Sequence, residues 1–163
     1  ERVMDERVNF ILDDMLQDVI TRGTGRRALV LNRKDLAGKT GTTNGPMDAW
    51  FSGYNRDVVT TTWVGFDAYK PLGRREFGGT AALPIWIDFM REALAASPDR
   101  ERPVPDGIAS VRINPETGQL AGAGDKDAIF EYFREENVPA PGEGGGEDVP
   151  GKTGTDDLIR DIF

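Results

Sequence analysis

The sequence predicts an α+β fold in which helices cover an antiparallel sheet. Two stretches carry apolar residues at three- and four-residue steps, as amphipathic helices do. Between them lie three short runs rich in Thr, Val and Trp, separated by turn-forming residues, which is typical of neighbouring strands. The order helix, three strands, helix therefore favours a single sheet packed against helices.

The first predicted helix carries its apolar residues from Val8 to Ile20, with acidic residues and Gln on the other face. Asp5 is placed to accept hydrogen bonds from the first free N–H groups, so we expect it to cap the helix. Gly23 and Gly25 follow the last apolar residue. They are expected to end the helix by adopting positive φ.

The three predicted strands cover residues 36–43, 49–54 and 58–66. The connections between them are short, and short connections join antiparallel strands. A second helix is predicted over 81–96, where Pro84 falls in the first turn and removes no helical hydrogen bond. This part of the chain, residues 1–100, is predicted to form one unit.

Three prolines and several charges between residues 97 and 106 predict a boundary. The next unit, 101–141, is expected to be a small appendage with a hairpin over 107–120 and a short helix over 126–136. The rest, 142–163, is rich in Gly, Pro and acidic residues and is predicted to be largely disordered to about Asp156, because it offers little apolar surface to bury.

Charge and composition exclude several classes of protein. Residues 1–100 carry 14 acidic and 14 basic side chains, whereas residues 101–163 carry 14 acidic and 6 basic ones. An acidic surplus repels phosphate backbones, which argues against binding of nucleic acid. The chain has neither His nor Cys, so it cannot supply a Ser-His-Asp triad or an imidazole or thiolate metal site. No metal and no cofactor is predicted.

The segment Gly38 to Asn44, G-K-T-G-T-T-N, is the most informative motif, because it places a cation, three hydroxyls and two glycines on a predicted strand. K-T-G alone is a weak signal, since Lys152 to Thr155 repeats it inside the acidic tail. That second copy also completes a formal phosphate-binding loop, G-x-x-x-x-G-K-T. It lacks the hydrophobic strand and the helix that such a loop needs, so nucleotide binding is rejected.

The surroundings of the first copy carry a resemblance to a known family. R-G-T-G precedes it, D-A-W-F-S-G-Y and T-W-V-G-F-D follow as strands, and G-T-A-A and P-I-W come next. In this order the motifs resemble the C-terminal part of the transpeptidase domain of class A penicillin-binding proteins over residues 1–96, and more loosely to about Pro141. The resemblance implies the serine β-lactamase/penicillin-binding transpeptidase fold, with only its C-terminal lobe in this chain.

The resemblance also implies a function, peptidoglycan cross-linking by D,D-transpeptidation. In that family a serine attacks stem peptides ending in D-Ala-D-Ala, and β-lactams acylate the same serine. The family pattern gives the N–H of Thr42 to the oxyanion, the hydroxyls of Thr40 and Thr42 to the substrate carboxylate, and a nearby positive charge to Lys39. Gly41 allows close packing, and Thr43 completes the substrate-binding set.

One departure from the family is plain in the sequence. No Ser here begins an S-x-x-K or an S-x-N motif, the candidates being Ser52, Ser97 and Ser110. We therefore expect the nucleophile to lie upstream, in an N-terminal remainder of the same protein. By resemblance, that remainder would also hold a glycosyltransferase domain and an anchor in the inner membrane, with the active sites on the periplasmic side.

Two questions stay open from the residues alone. Penicillin-binding sensors and serine β-lactamases share the fold and the K-T-G motif, so either is an alternative to the transpeptidase. Arg74 and Arg75 lie in a predicted loop, where they are either a solvated turn or a contact for carboxylates of a polymer.

Overall fold

A computed structural model of the chain describes residues 3–141. By their internal contacts these residues group into two compact units. One contains residues 12–103, and the other contains residues 3–11 together with 104–141. The boundary between the two units falls inside the first helix.

Helix α1 covers Glu6–Thr21 and confirms the predicted amphipathic helix. The carboxylate of Asp5 accepts hydrogen bonds from the N–H groups of Arg7 and Val8 at 2.9 and 3.4 Å, as expected of a cap. The expectation for the other end is wrong. Neither Gly23 nor Gly25 has positive φ; Gly25 has φ −95° and closes the helix by donating its N–H to the carbonyl of Val19 at 2.7 Å.

Three strands form an antiparallel sheet in the order β1-β2-β3. Their bounds are β1 Ala37–Thr42, β2 Ala49–Tyr54 and β3 Val59–Val64, which confirms the three predicted strands. One face of the sheet is apolar because Ala49 and Phe51 point to it and are fully buried.

Helical segments cover that apolar face. A π-helical turn, Gly78–Ala82, leads into helix α2, Leu83–Ala93, within which Pro84 occupies the first turn as predicted. A short 3-10 helix, Arg26–Leu31, precedes β1 and was not predicted. Trp86 of α2 meets Phe51 edge to face with ring centroids 4.9 Å apart. The buried cluster comprises Ile20, Ala28, Leu36, Ala49, Phe51, Ala82, Leu83, Trp86, Ile87, Met90 and Leu94.

A buried polar cluster fixes the start of β1. Arg33 donates two hydrogen bonds, of 2.9 and 2.7 Å, to the carboxylate of Asp35. Its third side-chain nitrogen donates to the carbonyl of Ser97 after α2. The amide of Asn55, in the β2–β3 turn, donates to the same carboxylate at 3.2 Å. Three separate segments of the unit therefore meet at the Arg33–Asp35 ion pair.

The second unit contains a two-stranded antiparallel sheet of β4, Ile108–Ile113, and β5, Ile129–Arg134. Ala109, Val111 and Ile113 are buried on one face. The ring of Phe10 meets that of Tyr132 edge to face at 5.0 Å.

Two predictions for this unit are wrong. Residues 126–136 form strand β5 and a short 3-10 turn instead of a helix, and β4 pairs with β5, while the predicted hairpin keeps only one bridge, between Ile113 and Leu120. Ile129 and Phe133 are four residues apart, and residues at this spacing lie on the same side of a helix and also on the same side of a strand. Their spacing therefore does not distinguish a helix from a strand. The aromatic and β-branched composition favours the strand, which also covers an edge of β4.

The predicted disorder of 142–163 and the second K-T-G copy at Lys152 lie outside the described residues. Within residues 3–141, no helix has the length and apolar character needed to cross a bilayer.

The Asp35 cluster makes stability depend on pH. Burial by itself would raise the pKa of Asp35, but the hydrogen bonds from Arg33 and Asn55 outweigh burial and hold the pKa below its usual value. A lowered folded pKa gives stability that is present above the unfolded pKa of about 3.9 and is lost as pH falls through the folded value. Acid should therefore loosen the start of β1.

We predict that Asp35→Asn in the complete protein weakens local stability at pH 7 by about 3 kcal/mol, because it leaves a buried guanidinium without its partner. Hydrogen exchange of peptides covering 33–42 and 54–59 measures this. The variant should also show less of the destabilisation that the wild type undergoes as the pH falls below about 5. Asp88→Asn, which removes an exposed carboxylate, is the control. Equal exchange in the wild type and Asp35→Asn would contradict the assignment.

Candidate functional site: the free edge of strand β1

Strand β1 is an edge strand. It pairs with β2 on one side, and no other described strand pairs with its second side. An unpaired edge presents backbone N–H and C=O groups that can pair with an extended peptide. The predicted K-T-G motif, Lys39 to Gly41, lies in the middle of this strand.

The register shows which backbone groups face the free edge. The N–H of Thr43 donates to the carbonyl of Asp48 at 3.3 Å, so these two residues form a hydrogen-bonded pair. Hydrogen-bonded and non-hydrogen-bonded pairs alternate along an antiparallel ladder. Thr42, opposite Ala49, and Thr40, opposite Phe51, are therefore in non-hydrogen-bonded pairs. Their N–H and C=O groups point away from β2, toward the free edge.

Lys39 adds a positive charge to this edge. Its side chain is exposed, and its ammonium donates a hydrogen bond of 2.9 Å to the carbonyl of Thr40. Because that carbonyl faces the free edge, the ammonium lies there as well. One of its three protons is used in this contact, so two remain to bind another acceptor.

The hydroxyl of Thr40 is positioned by Thr24, which follows helix α1. The two hydroxyl oxygens are 2.8 Å apart. Thr24 is held near the strand because the next residue, Gly25, closes the helix on Val19. If Thr24 donates to Thr40, the proton of Thr40 is available to an anion at the edge.

The hydroxyl of Thr42 is positioned by the π-helical turn. It accepts a hydrogen bond of 3.1 Å from the N–H of Gly78, which leaves its own proton free to be donated. Only glycine fits at position 78. A Cβ there would lie 2.3 Å from the carbonyl oxygen of Trp50 and 2.7 Å from that of Gly41.

Thr43 lies beyond the strand and has a different environment. Its hydroxyl donates to the carbonyl of Gly45 at 3.1 Å and accepts from the N–H of Asp48 at 3.1 Å. These contacts hold the turn between β1 and β2. The structure thus places Lys39, Thr40, Gly41 and Thr42 together at the edge and uses the Thr43 hydroxyl in the turn.

Comparison with known proteins finds relatives that share one name, penicillin-binding protein 1A. The chain is 58% identical over 139 residues to penicillin-binding protein 1A of Pseudomonas aeruginosa and 43% identical over 141 residues to that of Neisseria lactamica, covering 85% and 86% of this chain. A crystal structure of penicillin-binding protein 1A from Haemophilus influenzae matches with a TM-score of 0.78 and 36% identity over 85% of this chain and 22% of that one. The chain belongs to the class A penicillin-binding proteins. No family model matches it.

Within this family, the chain is a C-terminal part of the transpeptidase domain. It spans 17% of the Pseudomonas relative and 16% of the Neisseria lactamica relative. The predicted α+β transpeptidase fold is confirmed by the Haemophilus structure and by the antiparallel sheets with their covering helices.

Thr24 is the residue of this candidate site that sequence reasoning missed. The R-G-T-G segment was interpreted as the end of a helix and as part of the family resemblance, without a role for Thr24 in the site, yet it brings a hydroxyl against Thr40. The available signal was a hydroxyl residue between two glycines, located just upstream of the K-T-G strand.

Proposed function

We propose that the complete protein is a serine D,D-transpeptidase that cross-links peptidoglycan and is acylated by β-lactams. The observation that carries the proposal is the free edge of β1, which combines the outward N–H of Thr42, the hydroxyls of Thr40 and Thr42 and the ammonium of Lys39. Membership of the class A penicillin-binding proteins supports a role in peptidoglycan synthesis.

The first half of the reaction forms an acyl-enzyme. A serine hydroxyl from the remainder of the protein attacks the carbonyl between the two terminal D-Ala residues of a stem peptide. The carbonyl oxygen becomes an oxyanion, and the N–H of Thr42 donates a hydrogen bond to it. The C–N bond then breaks, the amine of the last D-Ala takes a proton and leaves, and the serine holds the acyl group as an ester.

The second half transfers the acyl group. An amine of a neighbouring stem attacks the ester carbonyl, which again passes through an oxyanion at Thr42. The serine oxygen regains a proton as it leaves, and a new amide links the two stems. The backbone of β1 contributes the same hydrogen bond to both halves and needs no rearrangement between them.

Recognition of the donor rests on its terminal carboxylate. The hydroxyls of Thr40 and Thr42 share one face of the strand, and the ammonium of Lys39 reaches the same free edge through the carbonyl of Thr40, so all three can donate to an anion there. In penicillin the ring carboxylate takes the same place. Thr43 is not assigned to the substrate here, because its hydroxyl is engaged in the turn.

The remaining parts of the proposed function lie outside this chain. They are the serine of an S-x-x-K motif, an S-x-N motif, a glycosyltransferase domain and a membrane anchor that keeps the active sites on the periplasmic side. The proposed partners are stem peptides ending in D-Ala-D-Ala, β-lactams and the rest of the same protein.

The proposal is tested on the complete protein with a D-Ala-D-Ala donor peptide, an acceptor amine and penicillin. Release of D-Ala, a new amide bond and a long-lived penicillin adduct are expected. Rapid hydrolysis of penicillin without transfer would instead indicate a β-lactamase. A stable adduct without transfer would indicate a sensor.

Lys39→Ala should lower the rate of acylation by penicillin by about two to three powers of ten, the scale for losing one preorganised electrostatic group. Folding should change little, because the Lys39 side chain is exposed. Lys34→Ala, which also removes an exposed ammonium of the same unit, is the control and should acylate normally. Normal acylation by folded Lys39→Ala would show that Lys39 has no role in the site.

Thr24→Val should lower the acylation rate by about fivefold, the scale of one neutral hydrogen bond, because the Thr40 hydroxyl loses its orienting partner. Thr24→Ser should restore the rate. A β-lactam whose carboxylate is esterified should react equally with all three proteins, which separates carboxylate binding from a general loss of structure. Thr61→Val removes the similar hydroxyl pair with Ser52 and is the control. A loss in Thr24→Val that is the same for the acid and the ester would contradict this role.

A further inference from the structure

The loop between β3 and the π-helical turn forms an open cleft of about 660 Å³. Prolines, a phenylalanine and two arginines line it. The lining residues are Pro46, Pro71, Gly73, Arg74, Arg75 and Phe77. Its walls thus combine apolar surface with two adjacent guanidinium groups.

Hydrogen bonds to backbone carbonyls hold the loop in place. The N–H of Leu72 donates to the carbonyl of Pro46 at 2.7 Å, and the hydroxyl of Thr80 donates to the carbonyl of Arg75 at 2.6 Å. Arg75 has φ 66°, a left-handed conformation that is unfavourable for a residue with a long side chain. Strained residues of this kind concentrate at functional sites, where the surrounding structure maintains them.

Both arginines of the cleft are without a carboxylate partner among the described residues. Across residues 3–141, neither guanidinium forms an ion pair, although the same loop carries Asp67 and Glu76. Some other arginines of the unit pair with carboxylates, as Arg33 and Arg100 do. Lys70, also in this loop, lies over the ring of Phe66 at 4.1 Å. The cleft therefore has an unneutralised positive charge suited to a carboxylate.

The cleft adjoins the end of the β1 edge. Phe77 lines it, and the next residue, Gly78, donates to the hydroxyl of Thr42 at 3.1 Å. Pro46, on another wall, belongs to the turn that follows β1. A peptide paired with β1 that continues past Thr42 reaches this cleft.

The proposed function indicates which part of the substrate peptide would reach the cleft. With the terminal carboxylate at Thr40 and the scissile carbonyl at Thr42, the residues before the scissile bond extend past Thr42. We propose that the Arg74–Arg75 cleft binds a carboxylate carried by the donor stem peptide upstream of its D-Ala-D-Ala end. The methylene groups of the side chain that carries this carboxylate pack on Phe77, Pro46 and Pro71. This inference rests on the proposed function and deepens it.

The test uses the complete protein and synthetic N-acetylated peptides ending in D-Ala-D-Ala. Each peptide carries one carboxylate at the second, third or fourth residue before the scissile bond and is matched by its carboxamide. The variant is Arg74→Gln with Arg75→Asn, because Asn tolerates left-handed backbone. Lys34→Gln with Arg91→Gln removes the same charge from exposed surface pairs and is the control.

Wild type and control should prefer at least one acidic peptide over its amide by about tenfold in kcat/KM, through KM, as expected for a partly exposed charge-assisted hydrogen bond. The arginine variant should lose that preference while it cleaves the amide peptides and reacts with benzylpenicillin at the wild-type rate. Fluorescence anisotropy of the labelled peptides should show the same preference in binding, independently of turnover.

Two results would overturn the inference. One is a wild type that cleaves acidic and amide peptides equally. The other is an arginine variant that loses activity on acid, amide and penicillin alike, which would make the pair structural. If no peptide is cleaved and penicillin does not react, the proposed function fails instead. In that case, equal anisotropy for the acid and the amide would overturn the inference as well.

Discussion

Close approach of the covering helical segments to the sheet is the constraint on which the rest of this structure depends. A Cβ at Gly53 would lie 2.7 Å from the ring of Trp86, and one at Gly78 would lie 2.3 Å from the carbonyl oxygen of Trp50. Because both positions lack a side chain, α2 and the π-helical turn pack directly on β2. The apolar core and the position of the site both follow from that contact.

The same packing also positions the side chains of the β1 edge. The turn that contacts Trp50 also donates to the hydroxyl of Thr42, and the end of α1 contributes Thr24 to the hydroxyl of Thr40. At the start of the strand, Asp35 is held by Arg33 and by the β2–β3 turn. The edge at which the proposed substrate would bind is therefore fixed by the fold itself, and such preorganisation is what stabilises charge in a transition state.

Local pattern predicted most of the elements of the larger unit. Helix α1 has one clear apolar stripe, and β2 is bounded by turn residues, so their bounds were close to the observed ones. The segment 126–136 was mispredicted because residues four apart share a side in both a helix and a strand. Pairing with β4 makes this segment a strand, and the local sequence of the segment does not contain that pairing.

The site was predictable only in part. The motif at Lys39 identified the strand, but the free edge follows from the order and register of three strands, and Thr24 meets Thr40 across a long-range contact. Such contacts arise from packing, which no window of sequence contains. The Arg74–Arg75 pair was recognisable as charge in a loop, whereas its cleft depends on the fold.

The central claim is that the free edge of β1 binds the reacting carbonyl. A crystal structure of the complete protein acylated by benzylpenicillin tests it most directly. The account predicts that the acyl carbonyl oxygen lies about 2.7–3.1 Å from the backbone nitrogen of Thr42, with the carboxylate at the hydroxyl of Thr40. An acyl carbonyl that points away from β1, with its oxygen bound elsewhere, would contradict it.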